Sequence, residues 1–262
     1  MGHFSRHGHQ AMSNKLRRYR IGKPGGSTSY IHPHYDLGTL SQGLGAYRRA
    51  IWHYKKEIEL TGYYKAHYNL GVILQERKRY RDAIGEFRKA LRRNPRLHEA
   101  YNNLGYCYFH LGNCEDAVSA YSKAVNLRRR DPTYLTNLGR AYARAGRYQE
   151  AVSTMRRAMV LAPDHLATRT VLGYLLLERK ETQSEGIRLL RAANRSNPSD
   201  PQVLASLASG YLNLGRLQEA ADLLRKAKGL APKDAFVLEQ VRRSHRRGRT
   251  LAGAKAQRVL PE

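Results

Sequence analysis

Between His98 and Arg130 the apolar and small residues fall into two short stripes of helical period. Tyr101, Leu104, Gly105 and Tyr108 recur at i, i+3, i+4 and i+7; after a break at Gly112-Asn113, Ala117, Tyr121 and Ala124 recur at i, i+4 and i+7. The pattern predicts two helices joined by a tight turn. It also repeats. Leu70-Gly71 lie thirty-four residues before Leu104-Gly105, and Leu138-Gly139 lie thirty-four after. A helix pair of this size cannot bury its apolar face alone, so a fixed period of this length predicts pairs stacked on one another.

Four regular repeats occupy 64–97, 98–131, 132–165 and 201–234, and a degenerate one occupies 31–63. The repeat at 166–200 is thirty-five residues long, and its extra residue is expected near Thr182 to Ser184, in the turn. Gly71, Gly105, Gly139 and Gly173 are expected opposite Ala83, Ala117, Ala151 and Gly186, where small residues let the paired helices approach. Ala90, Ala124, Ala158, Ala193 and Ala227 leave room for the next repeat, and Pro95, Pro163, Pro198 and Pro232 stop the second helices. Arg129 stands where that proline is missing, and Pro132 opens the following helix. After Asp234, Phe236, Leu238 and Val241 mark a last helix that caps the array. The expected architecture is all-α: a basic arm over 1–30, an array over 31–234, and a capping helix with a basic tail over 235–262.

The order L-G, Y, A, F/Y and P within thirty-four residues resembles the tetratricopeptide repeat (TPR) family. The resemblance implies a right-handed superhelical solenoid of helix-turn-helix units that binds other molecules and catalyses nothing. The family's large aromatic at the fourth position is replaced by His67, Leu135, Arg169 and Leu204, and kept as Tyr101. First helices would line a concave groove, where Asn69, Asn103 and Asn137 recur at one position, similar to the asparagine ladders by which some of these proteins hold a peptide backbone. Tyr68, Asn102, Tyr106, Arg140 and Tyr174 would line the same groove. The family's carboxylate clamp needs Lys and Asn where this chain has Tyr68 and Val72, so a chaperone adaptor of that kind is not expected.

Charge changes the picture most. Lys and Arg number 47 against 21 Asp and Glu, a formal charge of +26. Such an excess favours polyanionic partners. Residues 1–30 hold Arg6, Lys15, Arg17, Arg18, Arg20 and Lys23 and no acid; they read as a disordered tail, an arm laid along RNA, or an organelle-import presequence. The tail carries Arg242, Arg243, Arg246, Arg247, Arg249, Lys255 and Arg258. Within the repeats, Asp82, Asp116, Glu150, Glu185 and Glu219 open the second helices, where they complement the helix dipole. Further along, two adjacent outward positions read Lys55-Lys56, Arg88-Lys89, Ser122-Lys123, Arg156-Arg157, Arg191-Ala192 and Arg225-Lys226, with Arg128, Arg129 and Arg130 extending that side. Aligned by stacking, they would form a basic ridge on the convex face, suited to phosphate backbone rather than to base edges.

Cys107 and Cys114 are too few for a disulfide framework or zinc site and read as buried free thiols of a reducing compartment. His3, His7, His9, His32 and His34 match no compact metal-ligand spacing. Gly43-Leu44-Gly45 lacks the third glycine and preceding strand of a dinucleotide loop. No motif supplies a catalytic constellation, a cofactor or a small-molecule substrate, and no apolar run is long enough to span a bilayer. The leading expectation is a docking component of a ribonucleoprotein, an organellar ribosome being one such assembly, located in a mitochondrion or other organelle, with the cytoplasm as the alternative. The second is a peptide-binding adaptor, and the third a factor docked on another acidic assembly such as a microtubule.

Overall fold

The computed structural model describes residues 32–257, with side chains described to Arg247. Arg17, Arg18 and Arg20 in the basic arm, and Arg258 in the tail, lie outside the described residues. Thirteen α-helices and no strand are found among those described. They are α1 (Pro33–Gly43), α2 (Tyr47–Thr61), α3 (Tyr64–Glu76), α4 (Tyr80–Arg93), α5 (His98–Leu111), α6 (Cys114–Leu127), α7 (Pro132–Arg144), α8 (Tyr148–Leu161), α9 (Leu166–Leu175), α10 (Lys180–Ser196), α11 (Pro201–Asn213), α12 (Leu217–Leu230) and α13 (Ala235–Gln257). The chain divides into two compact units, one ending at Leu127 and the other beginning at Arg128.

The first unit contains three helix pairs, α1–α2, α3–α4 and α5–α6. Their turns need a left-handed residue: Gly45 has φ +70°, Lys78 +59° and Gly112 +82°. A left-handed conformation is cheap for glycine and costly for lysine. The small residue of each first helix closes against a bulky side chain of its partner. A Cβ on Gly38 would lie 2.5 Å from the Tyr54 ring, one on Gly71 2.7 Å from Phe87, and one on Gly105 2.8 Å from Tyr121. The atoms nearest each glycine belong to a ring one helical turn beyond the alanine expected opposite it. Ala83 and Ala117 are fully buried beside that contact.

The second unit contains α7–α8, α9–α10 and α11–α12, followed by α13. Asp131 and Asp200 cap α7 and α11: each Oδ1 accepts two backbone N–H bonds at 2.8–3.0 Å, and each is followed by proline at the first helical position. The thirty-five-residue repeat departs from expectation. Thr182 to Ser184 lie inside α10, not in a turn. The chain passes from α9 through a 3₁₀ turn at Leu176–Glu178 into a second helix of seventeen residues. Arg179 there has φ −118°, so this connection lacks the left-handed residue of the others. Gly173 and Gly186 pack backbone to backbone, with a Cβ on Gly186 falling 2.6 Å from the Gly173 carbonyl oxygen.

α13 packs on α11 and α12, burying Val237 and Gln240. Gln240 accepts from the Ser209 hydroxyl at 2.5 Å and donates to the Tyr174 hydroxyl at 3.5 Å, while Phe236 meets the Tyr174 ring edge to face at 5.2 Å. No helix among the described residues is long and apolar enough to cross a membrane.

Candidate polyanion-binding faces

The cations of the second helices are exposed, apart from the half-buried Lys56, but their partners differ. In the first unit Arg88 reaches the next helix pair, where its guanidinium donates to the Tyr108 hydroxyl and lies over that ring. Lys89 is held by Glu86 at 2.7 Å, and Lys123 sits over the Tyr101 ring at 5.6 Å. Lys55 is exposed and has no acid partner among the described residues, whereas Lys56 pairs with Glu59 at 3.0 Å.

The second unit repeats the division. Arg191 donates to Tyr211 at 3.2 Å, twenty residues on, as Arg88 does to Tyr108. Arg156 donates to Glu185 at 2.8 Å, and Arg225 to Asp222 at 3.1 Å. Arg157 and Lys226 are exposed with no acid partner among the described residues, as are Arg128, Arg129 and Arg130. Arg88, Arg156 and Arg191 therefore tether neighbouring helix pairs, whereas Arg157 and Lys226 project outward; Lys55-Lys56 reverse that order, and Lys89 and Lys123 are held as well. This corrects the reading of two equivalent outward positions: a guanidinium is long enough to turn back and find a neighbouring hydroxyl or carboxylate.

The C-terminal arginines divide as well. Arg243 and Arg247 donate to the Asn213 side-chain oxygen at 2.8 and 3.5 Å and help fasten α13 to α11. Arg246 and Arg242 flank Glu239 at 2.8 and 3.6 Å.

The expected groove residues are more occupied than their spacing suggests. Asn69 donates to the Tyr54 hydroxyl at 3.1 Å, Asn103 donates to the Tyr68 hydroxyl at 3.2 Å, and Asn102 donates to Asn103 at 3.5 Å. The Asn69 and Asn103 amides thus bond tyrosines of preceding helices, and Asn102 bonds its neighbour on α5. Burial pushes the Tyr68 hydroxyl pKa up. Tyr106 is exposed but flanked by Tyr80 and His110; Asn137 is half-buried. Tyr174 is half-buried, its ring and hydroxyl meeting Phe236 and Gln240 of α13. Arg140 is exposed.

The tetratricopeptide repeat profile matches residues 63–130 and 96–159, and a second profile of the same description matches 136–201 and 183–235. The chain belongs to the tetratricopeptide repeat family. Among solved structures it is similar to YrrB, described as a TPR protein with an unusual peptide-binding site: 18% identity, TM-score 0.55, over 72% of this chain and 97% of that one. It is similar to a chain of the APC/C hetero-tetramer Cut9–Hcn1 at 17% identity and TM-score 0.69, covering 91% of this chain but 46% of that one. A third similar structure is TTC0263, a thermophilic TPR protein from Thermus thermophilus, at 25% identity and TM-score 0.57, over 70% and 98%. No curated protein matches the chain.

Set in the tetratricopeptide repeat register, two features stand out that spacing alone did not show. At the position held by Ala90, Ala124, Ala158, Ala193 and Ala227, all fully buried, the first repeat has Glu57, 1% exposed. Its carboxylate accepts from His32 Nδ1 at 2.7 Å, the Thr61 hydroxyl at 2.7 Å and the Tyr35 backbone N–H at 3.2 Å. Burial pushes its pKa up, but these hydrogen bonds and the neighbouring imidazole outweigh that and hold it below the usual carboxylate value. His67, at the family's aromatic position, similarly bonds Glu86 at 2.7 Å. His32 thus acts as a structural partner, and His34 bonds His53 at 3.0 Å.

The second feature is an open cleft of about 610 Å³ beside α10, lined by Met159, Pro163, Arg169, Arg188, Leu189, Ala192, Arg195 and Ser196. Arg169 is bound to Asp164 at 2.6 Å, whereas Arg188 and Arg195 have no acid partner among the described residues. Both fall outside the Arg191 position that recurs from repeat to repeat. A scan for cations seven residues apart on one helix face would have found them. Cys107 is buried, and burial pushes its thiol up to about 12; Cys114 is half-buried.

Proposed function

We propose that this tetratricopeptide repeat protein is a non-enzymatic docking component of a ribonucleoprotein assembly, holding RNA phosphates with the outward cations of its second helices and engaging a protein partner elsewhere. The observation that carries this reading is the sorting just described. Lys55, Arg128, Arg129, Arg130, Arg157 and Lys226, joined by Arg188 and Arg195, stay exposed without acid partners among the described residues, although acids satisfy Lys56, Arg156 and Arg225. Unneutralised charge of one sign is relieved by a polyanion, with release of its condensed counterions.

Reversing Arg157 and Lys226 together, as Arg157→Glu and Lys226→Glu, tests it. RNA association is expected to fall at least tenfold and its salt dependence to flatten. Unchanged association would refute the reading. The peptide-adaptor reading is supported by the family and by the printed description of YrrB. It is weakened by the internal bonds of Asn69 and Asn103 and by the contacts that engage Tyr174 with α13.

A further inference from the structure

Trp52 is the chain's one tryptophan, and it stands 58% exposed on α2. The repeat itself does not call for an aromatic there: the equivalent positions are Gly85, Ser119, Ser153, Arg188 and Asp222. Within its own unit the indole meets His34 and His53 edge to face, with centroids at 5.6 and 4.9 Å, and stacks in parallel on no ring among the described residues.

Its surroundings are cationic. Arg48 lies one turn before it and Lys55 nearly one turn after, both exposed. Beside Arg48 a hollow of about 290 Å³ is lined by Gly45, Ala46, Tyr47, Arg48, Arg49 and Arg77, with no acid among them. The Arg77 guanidinium lies 5.5 Å from the Tyr47 ring centroid, which orients it at the rim. On α2 itself, Glu57 is turned inward and Glu59 is held by Lys56 at 3.0 Å.

We propose that this face of α2 is a stacking platform for single-stranded nucleic acid, with Trp52 under a base, Arg48 and Arg77 at one flanking phosphate and Lys55 at the next. The inference rests on the RNA reading above and narrows it to unpaired strands. One helical turn, about 5.4 Å, separates cation from indole, a step that one nucleotide spans between phosphate and base. Alternation of an aromatic with cations is what a single strand requires, because every base offers a π face and every linkage a charge. A protein-binding core would instead be depleted of charge around its aromatic anchor. A duplex hides its base faces and cannot use the indole at all.

Because the chain has a single tryptophan, its emission reports on the site directly. The intact protein is titrated at fixed moderate salt with a single-stranded oligouridylate, a duplex RNA of equal length and a heparin oligosaccharide. The single strand is expected to quench Trp52 emission, and the duplex and heparin to bind without quenching. Trp52→Ala should weaken single-strand binding about tenfold while leaving heparin binding unchanged, and Trp52→Phe should restore most of the loss. If the single strand binds wild type and Trp52→Ala equally and emission does not change, the platform is refuted while the RNA reading stands. If none of the three polyanions binds, both fall. If Trp52→Ala loses only a protein partner, the face belongs to that protein and the platform is refuted.

Discussion

Arg156 of α8 donates to Glu185 of α10 at 2.8 Å, while the adjacent Arg157 has no acid partner among the described residues. One of two neighbouring arginines is therefore already neutralised by the protein. Glu185→Gln should free Arg156, strengthen RNA binding several-fold and steepen the slope of log affinity against log salt by about one. Arg157→Ala should flatten that slope by about one. The Arg156–Glu185 pair is partly exposed, so its removal should change stability by no more than about 1 kcal/mol. Salt-dependent titrations of the two variants check the signs.

Acid should unfold the first unit early. Glu57 and Glu86 are both held below the ordinary value of 4.5, although burial alone would raise them. Their contribution is complete above pH 4.5 and is lost as pH falls through the lowered native value, where the folded state must take up protons it holds less readily. Glu57→Ala strands the His32, Thr61 and Tyr35 donors and should cost about 3 kcal/mol. Thermal melts from pH 7 to pH 3 check both. The variant should melt lower at pH 7 and lose less than wild type on acidification.

Lys78 is the one non-glycine residue with positive φ among the described residues, at +59°. Gly112, Gly146 and Gly215 occupy the equivalent turns of other repeats. Lys78→Gly should therefore stabilise the protein by about 1 kcal/mol. A raised urea midpoint with unchanged slope is the expected result.

Gly105 and Gly85 should respond oppositely to alanine. A Cβ at Gly105 would lie 2.8 Å from the Tyr121 ring, which is 3% exposed and closely packed. Gly105→Ala should cost about 2 kcal/mol. Gly85 lies within α4 with nothing inside 4 Å of its added Cβ, so Gly85→Ala should add about 0.5–1 kcal/mol. Denaturant unfolding of the pair measures both.

The period made the helix pairs legible, since Leu70-Gly71, Leu104-Gly105 and Leu138-Gly139 mark the same place in each repeat. The turn glycines and the proline that opens α7 could be read in the same way, because their constraints are local. What spacing concealed lies between repeats. Arg88 with Tyr108 and Arg191 with Tyr211 pair across stacked helices, so a stripe of apparently equivalent cations hid both tethers and free ends. Tyr174 meets Phe236 and Gln240 of α13, contacts between distant segments that its own repeat does not disclose. Glu57 broke the alanine pattern, and only the arrival of His32, Tyr35 and Thr61 around it shows why a buried carboxylate is tolerated. Arg188 and Arg195 lie on one face of α10, along a cleft that Met159 and Pro163 of the preceding repeat also line.

The central claim is that unpaired cations hold this protein in an RNA-containing assembly. Recovery of the intact protein with its partners from its native cells, with and without ribonuclease across a salt series, tests it most directly. The account predicts that RNA and several proteins come down together, that nuclease releases the protein, and that recovery falls steeply as salt rises. A single protein partner that persists through nuclease and high salt would contradict it.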